Sequence, residues 1–325
     1  MEDFIGPDQP ATPVRVRAIF FGTPAIAVPS LEALASIAEI PFVVCQPDRP
    51  AGRGLEMRAP PVKERALALG LRVEQPLKVK TSEFAELIAS ADADVALVIA
   101  YGRILTKAVL EAPRRGCMNL HASILPKYRG AAPITWSIVN GESETGISLM
   151  QMDEGMDTGP VFTRHVIPIR GDATADELAV ELGALAALVV RHDLERAVRG
   201  EMEATAQDHA SATMAPILEK EHGRIDWNKP ARRVHDHVRG MTSWPGAFTT
   251  LGGKTLKVLS ARVEIEQGVL GPPGEVIVAD KRGVQIACSS GSVSMVRAQM
   301  EGRKPSASQD LVSGRVITKG SVLGA

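Results

Sequence analysis

The first 45 residues constrain the fold most strongly, because they alternate between the patterns of a strand, a helix and a second strand. Residues 14–21 form an apolar run that ends in a Gly-Thr-Pro turn, residues 27–38 place apolar side chains at helical spacing, and residues 42–45 are again apolar. This β-α-β opening predicts an α/β domain with a Rossmann-like, doubly wound parallel sheet, whose ligands bind beyond the carboxyl ends of the strands. No Gly-x-Gly-x-x-Gly follows the first strand, so a dinucleotide ligand is not expected.

The length of the chain, 325 residues, suggests two domains. Residues 1–13, with acidic residues and prolines, predict a disordered lead, and residues 14–200 are expected to form the α/β domain. Residues 201–223 are polar and weakly periodic, which favours a linker. From residue 224 onward, short apolar runs separated by glycine and proline predict a small OB-like β-barrel that occupies residues 224–325.

The composition excludes several classes of protein. No run of 18 apolar residues exists and residues 1–13 lack the pattern of a signal peptide, so a cytoplasmic protein is expected. The three cysteines, Cys45, Cys117 and Cys288, are scattered and form no Cys-x-x-Cys. Neither a disulfide framework nor a zinc site is therefore expected.

The net charge of −1 hides an asymmetry along the chain. Residues 1–210 carry 21 Lys and Arg against 28 Asp and Glu, a balance of −7, whereas residues 211–325 carry 16 against 10, a balance of +6. A basic C-terminal region is typical of a domain that faces nucleic acid. A solvated basic surface without a partner would give the same balance.

A candidate catalytic group centres on residues 117–121, which follow a glycine and read as a short strand. Asn119 and His121 are two positions apart and would point to one face of it, and Asp157 lies 36 positions after His121 in a glycine-rich turn. Together they offer an amide donor for an oxyanion, an imidazole that donates or accepts a proton, and a carboxylate that orients the imidazole. On residue types alone, such a trio also occurs without any catalytic role.

A longer pattern surrounds these residues and resembles the active-site segment of formyltransferases that use N10-formyltetrahydrofolate. Residues 129–134, Arg-Gly-Ala-Ala-Pro-Ile, are similar to those of the methionyl-tRNA formyltransferases within that group. The positions that carry the resemblance are Asn119, His121, Ser123, Leu125, Pro126, Tyr128 and Gly130, followed by Asp157, Gly159 and Pro160.

The resemblance implies transfer of the formyl group of N10-formyltetrahydrofolate to the α-amine of methionine esterified to initiator tRNA. Asn119, His121 and Asp157 would be the catalytic residues of a direct transfer that needs no metal and no covalent intermediate. The partners implied are initiator methionyl-tRNA and the folate, and a monomer is expected. Folate-binding positions are expected at Arg103, Ile104, Leu105, Ser123, Ile124, Leu125, Pro126, Met152 and Glu154.

Positions for tRNA are expected in two regions. Residues 46–54 read as a long, exposed, basic loop, and they resemble the loop that enters the tRNA acceptor stem in the family; without that resemblance they could equally be a mobile surface loop. In this region Arg49, Arg53 and Arg58 are the candidates. In the basic C-terminal region the candidates are Lys220, Arg224, Arg232, Arg233, Arg303 and Lys304.

Other readings of the same sequence stay open. The acceptor could be glycinamide ribonucleotide, an amino sugar or water, and a nucleic-acid-binding protein without catalysis is a further alternative. The run His235-Asp236-His237 resembles a metal motif, but residues two apart on a helix do not share a face, so no metal is expected there.

Overall fold

The computed structural model describes residues 15–51 and 56–324, and the predicted lead over residues 1–13 lies outside them. The chain divides into two compact units. The first unit comprises Met1–Met118 with Val190–Met202, and the second comprises Asn119–Val189 with Glu203–Ala325. The chain passes from one unit to the other inside a single strand, Cys117–His121.

The first unit contains a parallel sheet, as the β-α-β opening predicts. β1 pairs in parallel with β2 and β6, and β2 pairs in parallel with β5. β3 and β4 form a separate antiparallel hairpin, so the predicted loop at residues 46–54 is partly a strand pair. The strands are β1 (Ala18–Gly22), β2 (Val43–Val44), β3 (Arg49–Ala51), β4 (Glu56–Arg58), β5 (Val73–Glu74), β6 (Val95–Ile99) and the start of β7 (Cys117–His121).

Helices cover this sheet because their sequences place apolar residues on one side. The helices are α1 (Val28–Ile37), α2 (Pro61–Ala68), α3 (Ser82–Ser90) and α4 (Lys107–Leu110). α1 buries Leu31 and Leu34, and α3 begins after Thr81, whose hydroxyl oxygen accepts from the amide of Phe84 at 3.3 Å. All five residues of β6 are buried, which agrees with the apolar run that predicts a central strand.

The second unit begins with the carboxyl end of β7, and an antiparallel strand pair follows it in the sheet. β9 pairs with β10, and β9 is the neighbour of β7 in the sheet. β8 and β11 form a short parallel pair elsewhere in the unit. The elements are β8 (Arg129–Gly130), α5 (Pro133–Val139), β9 (Glu144–Gln151), β10 (Val161–Pro168), α6 (Ala175–Val189) and β11 (Met214–Ala215).

A long helical segment follows β10. α6 leads into a π-helical turn at Val190–Leu194 and then into α7 (Glu195–Val198), which belongs to the first unit. The predicted linker at residues 201–223 contains regular structure besides β11, namely short 3₁₀ turns at His209–Ser211 and Lys220–Gly223.

The C-terminal part of the second unit is a helix packed on antiparallel strands. The strand order is β12-β13-β16-β15-β14, with β17 paired to β16, and a shared core contains Trp227, Val234 and Ile286. Gly252 and Gly253, both at positive φ, form the two-residue turn between β12 and β13. The elements are α8 (Ala231–Gly240), β12 (Phe248–Leu251), β13 (Lys254–Ile265), β14 (Val276–Asp280), β15 (Gly283–Ala287), β16 (Ser292–Met300), β17 (Ser306–Ala307) and α9 (Ser308–Ser313).

The predicted fold class is confirmed as a Rossmann-like domain followed by a C-terminal domain of antiparallel strands. Within residues 15–51 and 56–324, no helix has the length and apolar character needed to cross a membrane.

Candidate active site

The carboxyl end of β7 presents Asn119 and His121, two residues apart, as the sequence pattern predicts. The residue between them, Leu120, is buried and points to the opposite face. His121 is only 5% exposed, whereas Asn119 is half-buried. The strand therefore holds an imidazole in a largely dry environment beside an amide that solvent or a ligand can reach.

Both ring nitrogens of His121 face protein oxygens. Nε2 lies 2.8 Å from the backbone oxygen of Tyr128, and Nδ1 lies 3.5 Å from Oδ2 of Asp157. Because a carbonyl oxygen can only accept, Nε2 carries a proton and donates to Tyr128. Nδ1 is therefore the ring nitrogen through which His121 can interact with the Asp157 carboxylate.

Asp157 is held by backbone and side-chain donors in a turn. Its Oδ2 accepts from the amide of Gly130 at 2.8 Å, and its Oδ1 faces Nδ2 of Asn119 at 3.4 Å. Its backbone has φ +53°, an unfavourable conformation for a residue with a β-carbon. Asp157 therefore needs support from its surroundings, and such strain is common at functional sites.

Gly130 makes one of these contacts possible. Its φ is +118°, and a β-carbon at this position would lie 2.7 Å from the backbone oxygen of Ala215. Only glycine fits at this position of β8, opposite Ala215 of β11, with its amide directed at Asp157. The glycine in the sequence motif thus places a donor on the Asp157 carboxylate.

Nearby hydroxyl and thiol groups are poor nucleophiles. Ser123 is buried and its Oγ donates to the backbone oxygen of Lys127 at 2.6 Å. Burial raises the pKa of Cys117 to about 12, and burial is also the main cause that raises the pKa of Cys45 to about 11. The thiols therefore stay protonated at neutral pH, which makes them poor nucleophiles.

The predicted folate positions fall in both units. In the first unit, Arg103 donates from Nε to Oε1 of Gln46 at 3.0 Å and from Nη1 to the backbone oxygen of Leu77 at 2.7 Å. Ile104 is 66% exposed and Leu105 is buried. The Arg103 side chain is thus engaged within the protein, which leaves the main chain of this loop for a ligand.

In the second unit, the segment after His121 is fixed by hydrogen bonds. The amide of Leu125 donates to Oγ of Ser148 at 3.1 Å, and the backbone oxygen of Leu125 accepts from Nε of Arg164 at 2.7 Å. The Leu125–Pro126 peptide is cis. Of the remaining predicted positions, Ile124, Pro126 and Met152 are half-buried and Glu154 is exposed.

A cavity of about 370 Å³ opens within the first unit at the carboxyl ends of β1 and β6. Its lining includes Thr23, Gln46, Tyr101 and the two predicted tRNA positions Arg49 and Arg58. Strand ends are where ligands of such sheets bind, so two arginines in this wall favour an anionic ligand.

The predicted tRNA positions are on the surface. Arg49 and Arg58 are exposed on the β3–β4 hairpin, and Arg53 lies outside the described residues. Arg224 pairs with Glu221 at 3.1 Å, Arg232 lies 3.7 Å from Asp236, and Arg233 donates to the backbone oxygen of Asn140. The C-terminal candidates are all exposed: Lys220, Arg224, Arg232, Arg233, Arg303 and Lys304.

His235 and Asp236 take part in an ion-pair cluster on α8. Asp236 is 2% exposed and accepts from Nε of Arg239 at 2.9 Å. Among residues 15–51 and 56–324, no three or more His, Cys, Asp or Glu side chains are grouped as metal ligands.

The sequence did not predict two residues that hold the Asp157 turn, Gln207 and Arg129. Gln207, in the predicted linker, is buried and donates to the turn, and Arg129 is buried and donates to Gln207. Arg129 lies in the segment 129–134 that resembles the family, so the sequence pointed to this residue although not to its contact with Gln207. Gln207 stands in a polar run without periodicity, and nothing in the sequence singles it out.

The fold and this cluster agree with what comparison with known proteins shows: the chain belongs to the formyl transferase family. The family profile "Formyl transferase" matches residues 15–187, and "Formyl transferase, C-terminal domain" matches residues 217–316. A methionyl-tRNA formyltransferase of Sorangium cellulosum is 69% identical over 310 residues, which cover 95% of this chain and 100% of the relative. One of Myxococcus xanthus is 45% identical over 307 residues, or 94% of this chain and 97% of the relative.

Among solved structures, the sugar 3N-formyl transferase WlaRD, crystallised in the presence of dTDP and 5-N-formyl-THF, has the same fold. Its TM-score is 0.65 at 17% sequence identity, and the match covers 90% of this chain and 99% of that chain. The resemblance that the motif predicts is thus confirmed at the level of the family.

Proposed function

We propose that this chain transfers the formyl group of N10-formyltetrahydrofolate to the α-amine of methionyl initiator tRNA, giving N-formylmethionyl-tRNA for translation initiation. The observation that carries the proposal is the 69% identity to a methionyl-tRNA formyltransferase across 95% of the chain. The cluster of Asn119, His121 and Asp157 supports it, because it supplies the groups that acyl transfer to an amine requires.

The chemistry sets two demands on the site. The amine nitrogen attacks the formyl carbon, whose oxygen gains negative charge, and the bond from that carbon to folate N10 then breaks. The amine loses a proton and N10 gains one. The protein must therefore donate to the oxyanion and carry a proton from one nitrogen to the other.

Asn119 suits the first demand. Its amide nitrogen carries two hydrogens, and one of them faces Asp157 at 3.4 Å. The other is available for the developing oxyanion, and one such donor is commonly worth about 10² to 10³ in rate. His121 was expected to donate there too, but its nitrogens face Tyr128 and Asp157 in this structure, so we assign the oxyanion to Asn119.

His121 and Asp157 suit the second demand. Because Nε2 of His121 donates to the backbone oxygen of Tyr128, Nδ1 is the ring nitrogen directed at the Asp157 carboxylate. Asp157, with its side chain 17% exposed, can accept the proton of the attacking amine and return it to N10, directly or through water, while His121 stabilises the charged carboxylate.

We propose that the folate binds to main-chain groups of residues 123–126 in the second unit, together with Met152 and Glu154. The fixed backbone around Leu125 supports this assignment, because a pre-ordered loop loses little entropy when it binds a flat ring.

We propose that residues 14–200 form the catalytic region, that residues 201–223 connect it to the rest, and that residues 224–325 bind tRNA. The exposed basic side chains of the C-terminal part would contact phosphates, and the β3–β4 hairpin would act at the acceptor stem. Binding through phosphates should weaken steeply as salt rises. We further propose that the chain acts as a monomer in the cytoplasm.

An acceptor panel tests the function. The purified chain would be given N10-formyltetrahydrofolate with initiator methionyl-tRNA, elongator methionyl-tRNA, uncharged initiator tRNA, glycinamide ribonucleotide or a dTDP-linked amino sugar. We expect formylation of initiator methionyl-tRNA well above the others. Transfer to the nucleotide or sugar acceptor in preference to the tRNA would overturn the proposal. Hydrolysis of the formyl group from N10-formyltetrahydrofolate, without transfer to any acceptor, would overturn it as well.

A substitution tests the hairpin separately. Arg58→Ala should weaken discrimination between initiator and elongator tRNA while the KM for the folate stays within about twofold, because the variant loses a proposed phosphate or base contact and none of the proposed folate residues. Arg191→Ala is a matched control, since it removes an exposed arginine outside the proposed tRNA contacts. Unchanged selectivity in the Arg58 variant would remove the hairpin from recognition.

A further inference from the structure

Residues 205–215 lie within the expected linker but pack onto the active-site loops. Thr205 exchanges backbone hydrogen bonds with Val161, each at 2.8 Å, and β11 pairs in parallel with β8. The amide of Tyr128, whose carbonyl binds His121, donates to Oγ1 of Thr213 at 2.9 Å. This segment is thus fixed to the catalytic loops at several points.

Gln207 is the side chain of this segment that reaches the catalytic turn. It is 6% exposed, and its Nε2 donates to the backbone oxygens of Asp157 at 2.9 Å and of Gly159 at 2.6 Å. Both hydrogens of the amide nitrogen are therefore used on carbonyls that flank the strained position. A turn with a non-glycine residue at φ +53° stays populated only when such contacts outweigh the strain.

Arg129 fixes the direction of the Gln207 amide. Its Nε and Nη2 donate to Oε1 of Gln207 at 3.1 and 2.7 Å, and Nη2 also lies 3.1 Å from Nδ1 of His209. A guanidinium only donates, so the oxygen of the amide must face Arg129 and the nitrogen must face the turn. Arg129 is itself 5% exposed, and within the described part of the chain no carboxylate pairs with it.

We propose that Gln207, oriented by Arg129, is a positioning residue that holds the Asp157 turn in its catalytic conformation. Gln207 fixes the backbone of the turn, the amide of Gly130 fixes the carboxylate, and together they direct Asp157 at His121. Part of the expected linker therefore belongs to the active site. The inference rests on the proposed formyl transfer through Asp157.

The decisive variant is Gln207→Glu. Glutamate has the same length and keeps an oxygen for Arg129, so the fold should tolerate it, but it places a second oxygen against two carbonyl oxygens. Gln207→Ala removes both contacts without repulsion. Because small displacements of a catalytic group are costly, we expect kcat to fall about 10- to 100-fold in both, with the KM for the folate within about threefold.

A structural control separates positioning from general destabilisation. Thr249→Val removes the buried hydrogen bond from Trp227 to Oγ1 of Thr249, 3.1 Å long, in the C-terminal core. This variant should lose thermal stability comparably to Gln207→Ala and keep the kcat of the wild type. If it lost as much kcat as the Gln207 variants, or if both Gln207 variants kept kcat within about twofold of the wild type, the proposal would be overturned.

A second readout does not depend on turnover. The ¹⁵N resonances of the His121 ring report its contact with Asp157, so they should shift in Gln207→Ala and Gln207→Glu and stay unchanged in Thr249→Val. Unshifted resonances in the Gln207 variants would contradict positioning. A wild-type chain that formylates no acceptor would instead refute the proposed function, and the ring resonances would still decide the role of Gln207.

Discussion

Two histidine–aspartate pairs in the second unit contain the same residue types but differ in their surroundings. In one, Nδ1 of His121 lies 3.5 Å from Asp157 at the end of a strand. In the other, Nδ1 of His235 lies 3.8 Å from Asp236 on α8. Both histidines are buried, so burial alone does not distinguish a catalytic pair from a structural one.

The difference lies in what else the carboxylate contacts. Asp236, whose side chain is 2% exposed, is paired with both Nε and Nη2 of Arg239, which in turn donates from Nη1 to the backbone oxygen of Ala173 at 2.9 Å. Asp157 is 17% exposed and, within the described residues, pairs with no lysine or arginine. A carboxylate neutralised by a guanidinium cannot take up a proton easily, whereas one held by neutral donors can.

The largest expected effect is on turnover at the catalytic pair. Asp157→Asn should lower kcat for initiator methionyl-tRNA by at least about 10²-fold, because the amide cannot carry a proton. The affinity for tRNA should change little, since we propose that Asp157 acts on the reacting groups and not on the tRNA phosphates. Single-turnover formylation and a tRNA-binding assay would measure the two quantities, and near-normal single-turnover rates would remove Asp157 from the mechanism.

The next effect concerns stability at the structural pair. Asp236→Asn should lower the free energy of unfolding by about 3 kcal/mol, because it leaves the buried guanidinium of Arg239 without a counter-charge. Activity per folded molecule should be unchanged. Denaturant unfolding together with kcat at low temperature would check both, and a loss of kcat in the folded variant would contradict the distinction between the pairs.

Acid should reduce the difference in stability between the wild type and Asp236→Asn. Burial opposes ionisation of Asp236, but the hydrogen-bonded guanidinium of Arg239, with the more distant His235 and Arg232, outweighs burial and holds the pKa of Asp236 below its ordinary value of 3.8. A lowered native pKa contributes stability above pH about 4, and this contribution is lost as the pH falls through the native value. The difference in free energy of unfolding between the wild type and Asp236→Asn should therefore become smaller in acid. Denaturant titrations below pH 5 would measure it. A difference that does not change with pH would contradict the role of the ion pair.

The smallest expected effect is at His235. It lies beyond hydrogen-bond distance of Asp236, and Nδ1 of His235 has no hydrogen-bond partner among the described residues. His235→Gln should thus change the free energy of unfolding by less than about 1 kcal/mol, whereas His121→Gln should lower kcat by at least about 10²-fold. Parallel unfolding and activity assays of the two variants would test this, and similar results for both would refute the contrast between the pairs.

The sequence alone determined much of this protein because its signals are local. The β-α-β opening, the buried run of β6 and the Gly252–Gly253 turn each follow from periodicity or from backbone freedom. The motif around Asn119 and His121 was equally local, since strand geometry puts residues two apart on one face. Family membership followed from that motif and is confirmed by the comparisons.

Only the tertiary structure decided how Asp157 is supported and where the proton of His121 points. The contact between Gln207 and the Asp157 turn joins residues 50 positions apart, and it depends on an amide direction imposed by Arg129, 78 positions from Gln207. Such contacts leave no periodic trace in a polar run, so residues 201–223 read as a linker. Likewise, only the folded chain shows that the carboxylate near His235 is paired with an arginine, whereas the carboxylate near His121 is held by neutral donors.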